Sequence, residues 1–312
     1  MKIIAKTGNP DLATIYIAET DEGKFVEFVE SVQPPFSRDK KWVLVVSTLF
    51  GCPVSCAFCD CGYYYKGKLS KQEILEQIDL MVVNRFPDRK IPVEKFKVQF
   101  ARMGEPSFNN NVLEILKSFN AHFDAPGFIP SLSTIAPASN EDFFEELIII
   151  KKNKYRKNFQ LQFSIHSTNT EQRDKIIPVK KWSFTRIADY SEDFFDVGGK
   201  KISLNFVLAK DYEININVLK QYFDPEIFLI KVTPVNPTYK ARENGIESII
   251  IPENENYKVV EELRNNGFET ILSIGEWEEN KIGSNCGQYL LNHLKAENKI
   301  SGGYSYPIEN IV

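Results

Sequence analysis

Four of the five cysteines of this 312-residue chain lie close together in the sequence, at Cys52, Cys56, Cys59 and Cys61. The first three are spaced C-x3-C-x2-C, and Phe58 directly precedes the third. Three thiolates on one loop can bind an iron–sulfur cube and leave its fourth iron without a protein ligand, whereas a closed electron-transfer cluster takes four cysteines. The open iron can then bind a substrate or a cofactor. We therefore predict a [4Fe-4S] cluster held by Cys52, Cys56 and Cys59.

A structural zinc site is the alternative for these cysteines, since zinc accepts four thiolate or imidazole ligands in a tetrahedron. Such sites usually take a second C-x2-C or Cys/His pair from another part of the chain, and the sequence contains none. Cys61 is either a bystander of the cluster loop or a redox-active thiol, because thiol reactivity depends on the local environment. We expect the cluster rather than zinc, and a bystander role for Cys61.

The order of predicted elements indicates an α/β fold. With 43% hydrophobic residues, the chain can bury one large core. From Lys41 onward, strands alternate with helices, which is typical of parallel βαβ units. Six such units predict a partial (β/α)6 TIM-type barrel over residues 42–295. Alternating apolar residues that end at Pro34 and Pro35 predict a small N-terminal β extension over residues 1–41, and residues 296–312 form a C-terminal tail.

Small or polar residues follow the predicted barrel strands, at the point where each strand ends. The chemistry of a β/α barrel takes place at the C-terminal ends of its strands, where the loops meet over one opening. The first strand leads into the cysteine loop. The other strand ends lie at residues 103–106, Ser133, 164–166 and 234–237. We expect these segments to line one cavity.

Together these motifs resemble the radical S-adenosylmethionine (SAM) superfamily and, within it, the RlmN/Cfr-like RNA adenosine methyltransferase family. The cysteine triplet with an aromatic residue before its last cysteine is the signature of the superfamily. The resemblance covers residues 42–295, and the other motifs occur in the family's order: MGEP at 103–106, LST at 132–134, SIH at 164–166, RDKIIPVKK at 173–181, VNP at 235–237 and NCGQ at 285–288.

The resemblance implies two cofactors, the [4Fe-4S] cluster and SAM. In the superfamily, one electron from the cluster splits SAM into methionine and a 5′-deoxyadenosyl radical, so that the cofactor carries the difficult chemistry. Carried over residue by residue, the resemblance implies that Gly104 and Glu105 contact the methionine end of SAM. It implies that the ribose, carboxylate or adenine of SAM is held by Ser133, Ser164, His166 and Asn236. Phe58 completes the implied cofactor-binding set.

Cys286 is the fifth cysteine, and it lies in the NCGQ motif, far along the chain from the cluster loop. The resemblance implies that a first SAM methylates it as a thiolate nucleophile. The radical from a second SAM then removes a hydrogen from the S-methyl group, and the methylene radical adds to an electron-poor aromatic carbon. A buried cysteine with only a packing role is the alternative. We expect Cys286 to be catalytic.

The sequence departs from the family at two catalytic positions. The family cysteine that releases the protein–substrate adduct by forming a disulfide lies seven residues before the triplet, where this chain has Val45. The family glutamate that removes a proton from the adduct aligns with Ala13, and Asp11 is the nearest carboxylate in the sequence. We also expect no N-terminal RNA-binding accessory domain, since about forty residues precede the barrel.

The charge of the chain gives no general affinity for nucleic acid, because the formal net charge is −4 and the pI is near 5.7. Basic stretches at 151–157, 180–181 and 200–201 are either local RNA contacts or solvated helix ends.

No stretch approaches the ~20 apolar residues of a membrane span. Because clustered thiols and an oxygen-sensitive cluster need a reducing compartment, we expect a cytoplasmic enzyme. Its partners would be an electron donor such as flavodoxin or ferredoxin and a substrate that is a small molecule or an RNA.

The sequence thus predicts a radical SAM enzyme that transfers a methyl or methylene unit to an sp2 carbon through S-methylated Cys286. One alternative is a radical SAM enzyme that abstracts hydrogen directly from a non-RNA substrate without methyl transfer. The other is a non-catalytic iron–sulfur or zinc protein, which the MGEP and VNP motifs disfavour because a scaffold does not need them.

Overall fold

The computed structural model describes residues 1–251, 257–273, 277–284, 289–295 and 304–311. Its central feature is one sheet of eleven strands in the order β10-β9-β8-β7-β6-β5-β4-β3-β2-β1-β11. The strands are β1 (Lys2–Asn9), β2 (Ala13–Glu19), β3 (Phe25–Ser31), β4 (Lys41–Val46), β5 (Lys95–Phe100), β6 (Phe128–Thr134), β7 (Gln160–Ser164), β8 (Ile202–Val207), β9 (Phe228–Thr233), β10 (Thr270–Leu272) and β11 (Ile308–Asn310).

Within the described residues, helices follow each of the strands from β4 to β10. They are α1 (Lys71–Val83), α2 (Asn111–Ser118), α3 (Glu141–Ile150), α4 (Thr170–Ile176), α5 (Phe184–Phe194), α6 (Ile216–Tyr222), α7 (Tyr239–Glu243), α8 (Lys258–Asn265), α9 (Trp277–Ile282) and α10 (Tyr289–Leu294). A short π-helical turn, Lys151–Tyr155, continues α3.

The strands from β4 to β10 are parallel to their neighbours throughout. This arrangement confirms the predicted α/β class and the partial barrel, and β10 adds a seventh parallel strand to the six that the sequence indicated. The sheet is open rather than closed, because β10 and β11 are its two end strands. The C-terminal ends of the parallel strands all lie at one end of the barrel, where the predicted motifs are.

The two sides of the parallel strands differ in chemistry. On β5, Phe96, Val98 and Phe100 are fully buried against the helices, while the alternating residues Lys97 and Gln99 face the inside of the barrel. This alternation follows from the two-residue repeat of a strand. The outer side therefore supplies the hydrophobic core, and the inner side supplies polar groups for a ligand.

The N-terminal strands continue the same sheet with antiparallel pairing. β3 pairs with β4, β2 with β3, and β1 with β2. The pairing of β1 with β11 was not predicted from the sequence, and the Thr7 hydroxyl donates to the Pro307 carbonyl (2.9 Å) beside it. The boundaries at residues 41 and 295 stay predictions, and the sheet is continuous across the first of them. Within the described ranges, no helix combines the length and the apolar character that crossing a bilayer requires.

We expect Gln77 to stabilise the end of β4, where the barrel opens toward the cysteine loop. Its buried side chain accepts the Ser47 N–H (2.8 Å) and donates to the Ser47 carbonyl (3.0 Å). Gln77→Leu leaves both backbone groups unpaired, so the free energy of unfolding should fall by about 2–4 kcal/mol. Chemical denaturation measures this change. Gln72→Leu, at an exposed position of the same helix, is the control and should cost about 0.5 kcal/mol or less; equal losses in the two variants would contradict the role of Gln77.

Candidate active site

The three predicted cluster ligands lie on the loop that follows β4, and each is partly exposed. Backbone hydrogen bonds fold this loop back on itself. The Cys59 N–H donates to the Cys56 carbonyl (3.1 Å), and the Cys52 N–H donates to the Cys61 carbonyl (2.9 Å). The loop thus carries the three predicted ligands beyond the end of β4, and Cys61 on the same loop is buried.

Two glycines allow the backbone to pass close to this loop. Gly51 has φ +79°, and a Cβ atom there would lie 1.2 Å from the Tyr64 carbonyl oxygen. Gly104 has φ +97°, and its Cβ would lie 2.5 Å from the Leu49 side chain. Positive φ and close packing both favour glycine at these positions. Gly104 therefore lets the MGEP loop lie directly against the segment that leads into the cysteines.

The thiols of the cysteine loop have shifted pKa values. Burial, and then the proximity of Cys59, raise the pKa of the Cys52 thiol to about 12. Burial also raises the pKa of the Cys61 thiol. The hydrogen bond between Cys61 and Cys59 lowers the pKa of the Cys59 thiol. Several thiolates are stable in such a place when a cation such as iron lies beside them. The described residues include no group of three or more His, Cys, Asp or Glu side chains that could hold a metal ion, so the cluster ligands stay a prediction.

The stretch after the VNP motif holds the cluster loop from the side. The Asp60 carboxylate accepts the N–H groups of Tyr239 (3.0 Å) and Lys240 (2.9 Å) at the start of α7. The Thr238 hydroxyl donates to the Phe58 carbonyl (2.8 Å) and also accepts an N–H as the N-cap of α7. The cluster loop and the VNP loop are therefore fixed relative to each other.

Glu105 braces the MGEP loop against β6. Its buried carboxylate accepts the Ser107 N–H (3.1 Å) and hydroxyl (2.8 Å), the Thr134 hydroxyl (2.5 Å) and the Ile135 N–H (2.9 Å). Burial is the main cause that raises the pKa of Glu105, and these hydrogen bonds oppose it. The carboxylate thus joins the loops after two neighbouring strands. A contact with the SAM ammonium stays a prediction.

Polar side chains inside the barrel surround the space below these loops. The Ser133 hydroxyl accepts from the Gln99 amide (3.3 Å) and the Gln162 amide (3.2 Å), and so links three strands. Ser164 is the register partner of Asn205 on the next strand. The Asn205 Oδ1 atom is buried and has no hydrogen-bond partner among the described residues. Since buried acceptors are normally satisfied, Asn205 fits a ligand that donates a hydrogen bond.

His166 is a neutral imidazole beside the cluster loop. Its ring meets the Phe58 ring edge-to-face, with 4.9 Å between centroids. Burial, followed by the charge of Arg173, lowers the pKa of His166 to about 3, and its Nδ1 atom accepts the Val207 N–H (3.3 Å). The proton of the neutral ring is therefore on Nε2. The positive φ of 62° at His166 is uncommon for a residue other than glycine and is typical of constrained sites.

Comparison with known proteins finds relatives along most of the chain, although no family model matches it. The "Probable dual-specificity RNA methyltransferase RlmN" of Petrotoga mobilis is 25% identical over 93% of this chain and 78% of its own length. The protein of the same name from Dictyoglomus turgidum is 27% identical over 94% and 80%. Over nearly its whole length the chain is similar to RlmN/Cfr-like radical SAM methyltransferases, and it is an enzyme. The crystal structure of a radical SAM methyltransferase from Sphaerobacter thermophilus has the same fold, with a TM-score of 0.69 and 17% identity over 92% of this chain and 81% of the other.

Among the predicted cofactor residues, the structure shows one direct contact, and it places the others beside neighbouring loops and strands. Phe58 contacts His166, Gly104 lies beside the segment that leads into the cysteines, and Ser164 adjoins Asn205. Asn236 lies in the VNP loop, which is tied to the cluster loop through α7. Their contacts with SAM stay predictions. Cys286 lies outside the described residues, so its predicted role is untested by the structure.

The sequence analysis missed a buried carboxylate of this RlmN/Cfr-like enzyme. Glu27 lies on β3, fully buried, with an Oε1 atom 2.7 Å from the Arg102 Nε. Val45 faces the same side on the neighbouring strand β4, whereas Ala13 begins β2, which does not border β4. An acidic residue within the apolar FVEFV run of β3 is the sequence signal that could have identified Glu27. No such signal marks Asn205 in the sequence, because a single Asn within a buried strand does not by itself indicate a ligand contact.

For this RlmN/Cfr-like enzyme we expect three cysteines to be required for the cluster and one to be dispensable. Replacing Cys52, Cys56 or Cys59 by Ser should remove the iron and abolish SAM cleavage, since an iron would lose its only protein thiolate. Cys61→Ser is the matched control from the same loop, and it should retain iron, the brown colour and 5′-deoxyadenosine formation. Iron and sulfide analysis after anaerobic purification measures this. Loss of iron in Cys61→Ser would show that the ligands are assigned wrongly.

Proposed function

We propose that this enzyme is a methyltransferase that moves a methyl or methylene unit from SAM to an sp2 carbon by way of Cys286. The observation that supports this most is the meeting of three segments at Arg102. Arg102 precedes the MGEP loop, its guanidinium donates to the carbonyls of Gly283 (2.9 Å) and Ser284 (3.1 Å), and its own carbonyl lies 4.0 Å from the Cys61 Sγ. The chain that leads into NCGQ therefore lies next to the cluster loop.

The proposed cofactors are a [4Fe-4S] cluster on Cys52, Cys56 and Cys59 and SAM in the polar interior of the barrel. When bound, they supply the methyl group and, after one-electron reduction, the 5′-deoxyadenosyl radical. The chain supplies binding groups. Those facing the proposed SAM site are Phe58, Gly104, Glu105, Ser133, Ser164, His166, Asn205 and Asn236.

Cys286 contributes the nucleophile in this proposal, because a thiolate displaces a methyl group from sulfonium readily. The neutral His166 adds no positive charge beside the sulfonium. Val45 cannot serve as a resolving thiol, so release of the product would use Cys61 or an external thiol. A direct abstraction of hydrogen from the substrate, without methyl transfer, is the second candidate function, and the absence of a thiol at Val45 favours it.

The proposed substrate carries an electron-poor aromatic ring, either in an RNA or in a small molecule. The names of the relatives favour RNA. Several basic side chains that could contact RNA are engaged within the protein: Lys151 pairs with Asp196, Lys181 with Asp174, and Lys201 donates to Pro225. We propose a cytoplasmic location and a flavodoxin or ferredoxin as electron donor.

A basic groove lies at the end of the barrel that is opposite to the proposed site. It has a volume of about 840 Å³, and it is lined by Lys152, Lys154, Arg156 and Lys157. These residues come just before the start of β7, whereas the cysteine loop lies at the C-terminal ends of the strands. RNA bound in the groove would therefore lie far from the cysteine loop, at the opposite end of the barrel.

We expect anaerobic incubation with SAM to add one methyl group to the peptide that contains Cys286. Mass spectrometry of a proteolytic digest measures this, and Cys286→Ala should lack the modification. Because the matched variant Cys61→Ala keeps the nucleophile, it should still be methylated. An unmodified Cys286 together with normal 5′-deoxyadenosine formation would overturn methyl transfer and support direct hydrogen abstraction instead. Methyl-labelled SAM with total RNA, or with a small-molecule extract, then identifies the class of substrate by where the label goes.

A further inference from the structure

The inner side of the barrel carries lysines but no carboxylates. On β4 to β9, every residue of which the structure describes, the inner positions alternate with the core positions, and none of them is Asp or Glu. Two inner positions in the middle of strands hold lysines, Lys97 on β5 and Lys231 on β9, each between two fully buried apolar residues. Charges inside a protein normally have a partner of the opposite sign. The excess of positive charge in the barrel therefore needs an explanation.

Lys97 is surrounded by charges of its own sign. Within the described residues, its ammonium group has no hydrogen-bond or ion-pair partner, and the groups that act on its charge are Lys231, Lys41 and Lys200. Burial, followed by the repulsion of these three lysines, lowers the pKa of Lys97 to about 7. An anion beside Lys97 would reverse both effects, because it would favour the charged form.

The side chains inside the barrel leave space for a ligand. Gln99, Ser133 and Gln162 are only partly buried, and so are Lys97 and Lys231, whereas the alternating outer residues of the same strands are buried. Inner side chains that filled the barrel completely would be as buried as the outer ones. A space that solvent can enter therefore lies between the inner faces of these strands.

Further lysines lie at the N-terminal ends of the strands. Lys41 begins β4, Lys95 begins β5, and Lys200 lies two residues before β8. Burial, and then the charges of Lys95 and Lys200, lower the pKa of Lys41, so these ammonium groups are close enough to act on one another. A cleft lined by charges of one sign attracts ions of the other sign. This end of the barrel therefore favours the approach of an anion.

We propose that the interior of the barrel binds a small oxyanion, a phosphate or carboxylate group, between Lys97 and Lys231. An ammonium group has three donors, and its hydrogen bonds to charged oxygens are the strongest that it makes. On β5, Lys97 lies one inner position before Gln99, which donates to Ser133, and this step along a strand is roughly 7 Å. The site therefore lies deeper in the barrel than the proposed SAM groups, and it does not depend on the proposed methyl transfer.

The first test measures the affinity for sulfate, which keeps the same charge over the range in which Lys97 titrates. Isothermal titration calorimetry of the full-length, cluster-loaded protein at constant ionic strength measures this affinity. Below about pH 7 it should be level, because Lys97 is already charged. Above about pH 7 it should fall by up to about tenfold per pH unit, because binding then requires the uptake of a proton. An affinity that does not change between about pH 6 and about pH 9 would contradict the proposal.

Lys97→Met removes the charge and keeps most of the length of the side chain. We expect the affinity for sulfate to fall by about tenfold or more and the pH dependence to disappear. Lys95→Met, at an exposed position of the same strand, is the matched control, and its affinity should stay within about twofold of wild type because exposed charges are screened. The variant Lys97→Met should fold, since it leaves no buried charge unpaired. Wild-type affinity in this variant would overturn the site.

Chemical labelling shows whether the anion lies at Lys97. Only a neutral amine is acylated, and a lysine with a lowered pKa is partly neutral near pH 7. A trace of acetic anhydride should therefore acetylate Lys97, and saturating sulfate should reduce this labelling by about fivefold or more, because the bound anion holds the ammonium form. Mass spectrometry of a digest measures the labelling, and Lys95 serves as the internal control. Equal labelling of Lys97 with and without sulfate would place the anion elsewhere and overturn the proposal.

Competition against sulfate identifies the source of the oxyanion. If glycerol 3-phosphate competes as well as inorganic phosphate, the site accepts the charged end of a small substrate. If only inorganic phosphate competes, the site holds a free ion, and either result supports an oxyanion site. Saturating SAM should leave the binding of sulfate unchanged. Displacement of sulfate by SAM would show that the lysines bind the carboxylate of SAM, and it would overturn a separate site.

Discussion

The loop that carries the three cluster cysteines contains little regular secondary structure, so neighbouring elements must supply the hydrogen bonds that fix its shape. Buried backbone groups without hydrogen-bond partners are costly, and several neighbouring segments supply those partners here. Asp60 binds the start of α7, Thr238 binds the carbonyl of Phe58, and the Leu49 and Thr48 N–H groups donate to the Met103 carbonyl. The positions of the MGEP and VNP loops thus depend on the same bonds that hold the cysteines.

Two carboxylates on β3 show how one strand serves both sides of the sheet. Glu30 faces the helices, where Arg85 and the Trp42 indole N–H bind it. Glu27 faces the barrel and binds Arg102. Each carboxylate is paired and hydrogen-bonded, as buried charges must be. The N-terminal strands therefore supply carboxylates to both sides of the sheet.

The sequence was sufficient for the features that are local. The cysteine spacing and the strand–helix alternation depend on neighbouring residues, so they predicted the cluster loop, the α/β class and the order of the parallel strands. The pairing of β11 with β1, the ion pair of Glu27 with Arg102 and the buried Oδ1 of Asn205 each depend on residues far apart in the chain. Periodicity carries no information about such pairings.

The source of the hydrogen that enters 5′-deoxyadenosine tests the central claim most directly. The protein is first methylated with SAM that carries a CD3 group, and the remaining labelled SAM is removed. Unlabelled SAM and dithionite are then added. If the S-methyl group of Cys286 is the hydrogen donor, the 5′-deoxyadenosine should contain one deuterium, and Cys286→Ala should give only unlabelled product. Unlabelled 5′-deoxyadenosine from wild type, with the CD3 group still intact on Cys286, would contradict the account.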